Sequence, residues 1–160
     1  MNRRLLTIAA CLGVTWLSSA PSALAACAVV GDSVAVGVAQ AMRECGHSAR
    51  VGLSSTAAAS QAPRGKTVIA SIGSNDFPRG ISERQRQMSD SRVRAALSHA
   101  YRNSGGKLIL ILPSNEARAT VASWAAAHGV RTVDYAAGRD GVHPRDYRDV
   151  ARRVRGAMGE

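Results

Sequence analysis

The chain has 160 residues, with 21 Lys and Arg against 11 Asp and Glu for a formal charge of +10, and a hydrophobic content of 46% that includes little aromatic residue. That apolar share excludes a disordered chain, and the length suits one domain around one core. The basic balance favours anionic partners such as acidic polysaccharide or lipid headgroups. The arginines nevertheless alternate with acids in RGISERQRQMSDSRVR and RDYRDVARRVR, as on an ordinary solvated surface, and no aromatic platform for stacking bases accompanies them, so no nucleic-acid partner is expected.

The first 25 residues, MNRRLLTIAACLGVTWLSSAPSALA, read as an export signal: a positive start, an apolar stretch from Leu5 to Leu17, and Ala23-Leu24-Ala25 as a small-x-small cleavage site. The apolar stretch is shorter than the roughly 20 residues that span a bilayer. The mature domain is therefore expected over residues 26–160, secreted or periplasmic, with no transmembrane segment. Cys11 leaves with the signal, and Cys27 and Cys45 remain as a pair in an oxidising compartment, the setting for a disulfide. Leu24-Ala25-Ala26-Cys27 also resembles a lipobox, which would make Cys27 a lipidated first residue. Against that, CAVVG reads as a buried strand that starts at the cysteine with no linker, and lipidation would leave Cys45 without a partner, so the disulfide is favoured.

Along the mature chain, short apolar runs alternate with helical stretches. CAVVG (27–31) is a first strand, followed by an Ala/Val-rich helix that ends near Cys45. ARVGL (49–53) is a second strand with a short Ala-rich stretch after it, and KTVIASIG (66–73) is a third. The polar stretch SNDFPRGISERQRQMSD precedes a helix from about Ser91 to Asn103, stopped by Gly105-Gly106. KLILILP (107–113), the helix in NEARATVASWAAAHG, VRTVDY (130–135) and an Arg-rich helix from Pro144 complete the chain. Alternation of this kind predicts a parallel sheet covered on both faces: a flavodoxin-like three-layer α/β/α sandwich with a five-stranded parallel sheet. Sites in such sheets lie beyond the carboxyl ends of the strands.

Three polar clusters fall at those ends: Gly31-Asp32-Ser33 after the first strand, Gly73-Ser74-Asn75-Asp76 after the third, and Asp140-Gly141-Val142-His143 after the fifth. Each alone has an ordinary reading. Ser33 before a helix suits an N-cap, GSND suits a turn, and Asp-x-x-His could be half a metal site, although no third ligand of suitable spacing accompanies it and no metal is expected. Together they supply a hydroxyl, an amide donor, and an acid with an imidazole on one edge of the sheet.

These blocks resemble those of the SGNH (GDSL) hydrolase family over nearly the whole mature chain: Gly31-Asp32-Ser33 with Gly37 following, Gly73-Ser74-Asn75-Asp76, and Asp140 with His143. The second block departs from the family pattern, because Ser55 of GLSST stands at the position aligned with the glycine whose amide helps bind the oxyanion. The resemblance implies a serine esterase that forms an acyl-serine intermediate and uses no cofactor. Ser33 would be the nucleophile, His143 the base and Asp140 its orienting acid. The Ser33 and Ser55 amides and the Asn75 side chain would face the oxyanion. Asp32 has a structural role in this reading, bonding backbone near its turn, and His47, His99 and His128 are surface or packing residues.

So short a mature chain has little material for a lid. An open groove suits a small acyl group, such as acetyl, on an anionic polysaccharide or lipid. Phe77, beside the expected site, reads as core rather than pocket wall. The alternatives are a lysophospholipase or short-chain lipase and, from another class, a non-catalytic binder of anionic glycan or lipid. The intact Ser33, Asp140 and His143 argue against the binder.

Overall fold

A computed structural model describes residues 25–159; the export signal expected over residues 1–25 lies, apart from Ala25, outside the described residues. Five strands and five helices alternate: β1 (Cys27–Gly31), α1 (Ser33–Ala41), β2 (Gly46–Ala49), α2 (Ser55–Ser60), β3 (Thr67–Ser71), α3 (Glu83–Asn103), β4 (Leu108–Ile111), α4 (Ala117–Ala127), β5 (Arg131–Val133) and α5 (Tyr147–Met158). All strand pairs are parallel, in the order β2-β1-β3-β4-β5. This is the flavodoxin-like sandwich, and its topological switch point lies between β1 and β3.

The strands form because their residues can bury both faces. Successive side chains point to opposite sides, so Val29, Ile69, Ile109, Ile111 and Val133 pack with α1 and α5, while Val30, Val68, Ala70, Leu108 and Leu110 pack with α2, α3 and α4. All of these side chains are buried. Burial on this scale contributes about 1.5–3 kcal/mol for each large aliphatic side chain, and it makes the central strands read as unbroken apolar runs rather than alternating ones. Phe77 lies in the second of these cores, as the sequence suggested.

Three boundaries differ from the sequence reading. The second strand is Gly46–Ala49 and not residues 49–53. As an edge strand it pairs with β1 alone, its GHSA side chains are largely exposed, and it carries no apolar pattern to read. Beyond it the chain turns through Gly52 at φ +75°, which leaves Val51 exposed while Leu53 reaches the core. α3 starts eight residues before Ser91. Its first turns are polar because they face water, and a capping box marks the start, with the Ser82 hydroxyl accepting from the Gln85 amide and the Gln85 side chain accepting from the Ser82 amide. α5 begins at Tyr147, capped by Asp146, and not at Pro144.

Cys27 opens β1, and Cys45 lies in the turn that follows α1, just before β2. Both occupy the sheet edge opposite the carboxyl ends of the strands, where they form a disulfide with Cα atoms 4.9 Å apart.

Candidate active site

The carboxyl end of β1 comes very close to β3. A Cβ on Gly31, whose φ is +136°, would stand 2.2 Å from the Ser71 carbonyl oxygen, so only glycine fits. Asp32 follows in extended conformation as the N-cap of α1, its Oδ1 accepting from the Val34 amide at 3.0 Å and from the Ser71 hydroxyl at 2.8 Å. The capping role open to Ser33 in the sequence thus falls to Asp32. Ser33 becomes the first residue of the helix, half-buried, with its hydroxyl free to act elsewhere.

That hydroxyl meets His143. Ser33 Oγ lies 2.9 Å from His143 Nε2, and His143 Nδ1 lies 2.6 Å from Asp140 Oδ2. With the ring proton on Nδ1, directed at the carboxylate, Nε2 is left as the acceptor for the serine proton. Asp140 also shapes the turn that carries the histidine, because its Oδ1 accepts from the backbone amides of Val142 and His143, each at 2.9 Å. The hydrogen bond to the His143 ring, followed by these two amide bonds, holds the Asp140 carboxyl well below the usual carboxylate range. It is therefore ionised beside the imidazole at neutral pH.

The same turn is held from behind by two residues that the sequence did not single out. Tyr135 Oη donates to the Val142 carbonyl at 2.7 Å, and Ser114 Oγ donates to the Gly141 carbonyl at 2.7 Å. The Gly138 amide closes the loop onto the His143 carbonyl. Tyr135 follows β5 and Ser114 follows β4, so their position at the carboxyl ends of strands was the available signal.

Asn75 lies beyond the end of β3 and is exposed. Its side-chain nitrogen donates one hydrogen to the Leu53 carbonyl at 3.0 Å, which orients the amide, and a second N–H remains. Ser55 is placed otherwise than expected. It is buried, and both its amide, at 2.9 Å, and its hydroxyl, at 2.5 Å, donate to Asp76 Oδ2. Its one N–H is therefore committed to a buried carboxylate and is not available to an oxyanion. Ser55 instead ties α2 to the turn that carries Asn75.

The remaining histidines stand apart from this cluster. His47 is on the exposed edge strand, His99 contacts Asn103 on α3, and His128 stacks on Trp124 with ring centroids 4.1 Å apart.

No protein-family model and no curated protein sequence matches the chain. Among solved structures it is similar in fold to a "putative acylhydrolase" from Bacteroides fragilis, with 19% sequence identity, a TM-score of 0.55, and coverage of 83% of this chain and 86% of that one.

Proposed function

We propose that the protein is a serine esterase of the SGNH type that transfers an acyl group to water through an acyl-serine intermediate. The observation that carries this reading is the continuous relay from Asp140 through His143 to Ser33, with links of 2.6 and 2.9 Å, at the switch point of the sheet. A serine hydroxyl is a poor nucleophile until a base takes its proton, and this geometry supplies the base already oriented.

In the first half-reaction Ser33 Oγ attacks the ester carbonyl carbon as His143 Nε2 takes its proton, and the carbonyl π electrons move to oxygen. Asp140 stabilises the imidazolium that forms. As the tetrahedral intermediate collapses, the bond to the alcohol oxygen breaks and His143 returns the proton to that oxygen. Water then repeats the sequence on the acyl-serine and releases the acid. Two donors serve the oxyanion in this scheme: the Ser33 amide, which as the first residue of α1 has no partner within the helix, and the second N–H of Asn75.

Export remains part of the proposal. It is supported by the character of residues 1–25 and by the disulfide, which suits an oxidising compartment. Among the described residues no helix is long and apolar enough to cross a membrane. Hydrolysis of a small aryl acetate by purified protein, set beside longer acyl chains and lysophospholipids, tests the activity. The proposal expects turnover of the acetate, and no turnover of any ester would overturn it.

A further inference from the structure

The arginines of this strongly basic chain divide between those that meet an acid and those that do not. Arg86, Arg94, Arg118, Arg152, Arg153 and Arg155 each meet an acid. Arg43 and Arg148 are two of several exposed arginines with no acid partner among the described residues, and these two line one groove of about 630 Å³ between α1 and α5. The only carboxylate in that groove is Glu44, and Arg155 neutralises it at 2.8 Å while also donating to the Ala41 carbonyl at 3.0 Å. The two remaining guanidinium groups are therefore uncompensated. Such groups bind carboxylate or phosphate oxygens through paired N–H donors.

The groove also has a direction. It opens at Gly37, one helical turn beyond Ser33 on α1, and at Tyr147, four residues after His143, and it runs to the far ends of both helices. From Gly37 to Ala41, the last residue of α1, that is roughly 6 Å of helix, and the turn that carries Arg43 and Glu44 continues the lining. Gly37 lets the Tyr147 ring pack directly on α1 at that end, since a Cβ there would lie 2.2 Å from the ring. The half-buried ring and the Gln40 amide complete a lining of one aromatic, one amide and two free arginines.

We infer that this groove binds a linear acidic saccharide, the uronate-type carrier whose ester is presented to Ser33. The inference rests on the esterase reading and adds the chemistry of the carrier. A linear chain fits a groove whose Gly37 end lies one helical turn from Ser33, the two arginines fit carboxylates, and Tyr147 and Gln40 fit a sugar ring and its hydroxyls. A lipid surface is disfavoured because the large hydrophobic residues exposed among the described residues are Val51 and Met88, neither of which lines this groove. A stacked nucleic acid is disfavoured because the groove offers one ring rather than a series.

The test uses Ser33→Ala protein, so that binding is measured without turnover. A short oligogalacturonate, the same oligomer with its carboxyls reduced to alcohols, anionic phospholipid vesicles and a single-stranded oligonucleotide are compared. The expected result is binding of the oligogalacturonate that weakens with salt, little binding of the other three, and a loss of about tenfold or more when Arg43→Gln and Arg148→Gln are added. Arg43→Gln/Arg148→Gln on the wild-type background should leave hydrolysis of a neutral aryl acetate unchanged. Equal affinity for the reduced oligomer, tighter binding of vesicles or oligonucleotide, or unchanged affinity in the double variant would each overturn the inference. Aryl acetate hydrolysis by wild-type protein reports separately on the esterase reading, so the two can fail independently.

Discussion

Asp140 holds His143 twice: Oδ2 stands 2.6 Å from the ring Nδ1, and Oδ1 accepts the His143 backbone amide at 2.9 Å. One carboxylate therefore fixes both the fold of the turn and the direction of the imidazole. Two substitutions separate these roles. Asp140→Asn keeps an oxygen acceptor for the turn but loses the charge that stabilises the imidazolium, so kcat should fall by about 10³–10⁴ with the melting temperature nearly unchanged. Asp140→Ala should lose activity and also loosen the turn, seen as faster amide exchange at Val142 and His143. Full activity in Asp140→Asn would remove Asp140 from the relay.

Asn75 is oriented by its bond to the Leu53 carbonyl, with a second N–H left over. If that N–H meets the oxygen once it becomes tetrahedral, Asn75→Ala should lower kcat by about 10²–10³ and leave KM almost unchanged. Steady-state kinetics on an aryl acetate decides this. A rise in KM at constant kcat would show instead a role in ground-state binding.

Ser55 was expected as an oxyanion donor and is found bound to Asp76. Ser55→Ala keeps the amide bond and loses the hydroxyl bond to a buried carboxylate, which should cost about 1.5–3 kcal/mol of stability. The kcat should stay within a few-fold of wild type. Chemical denaturation beside kcat distinguishes the outcomes, and a loss of about 100-fold in kcat at unchanged stability would return Ser55 to the oxyanion site.

These residues also show what was legible in the sequence. The central strands and the three polar clusters at the strand ends were readable because apolar runs, glycines and polar residues at strand ends each leave a local signal. Edge strand β2 left none, since GHSA satisfies its backbone on one side only and buries little. The start of α3 was hidden because its exposed turns have the composition of a loop, and the capping box alone marked it. Ser55 was misplaced for a different reason. Whether an amide faces solvent or a buried carboxylate is set by Asp76, 21 residues away in sequence, and not by local pattern. The clasp of Tyr135 and Ser114 on the turn that carries His143 likewise joins segments that only the sheet brings together.

Several carboxyls besides Asp140 are held below the usual range. Thr120 chiefly does so for Asp90, Arg118 for Asp134 and Arg153 for Asp149, while for Glu44 its own backbone comes first and Arg155 adds to it. In each case the folded value lies below the unfolded value of about 4. Their contribution to stability is therefore complete above that value and lost as pH falls through the folded values. The groups are exposed or partly exposed, so each contribution is small and screened by salt. Thermal denaturation should show a flat melting temperature from neutral pH down to the ordinary carboxylate range and a decline below it, shallower in high salt. A decline that begins above pH 6 would point to a histidine instead.

The central claim is that Ser33 is the nucleophile activated by His143. Incubation with a fluorophosphonate followed by peptide mass spectrometry tests it most directly, because such probes form a stable bond only with an activated serine. The account predicts one adduct, on the peptide that contains Ser33, that is absent from both Ser33→Ala and His143→Gln proteins of unchanged circular dichroism. An unlabelled wild-type protein, or a Ser33→Ala variant that still takes the label, would contradict it.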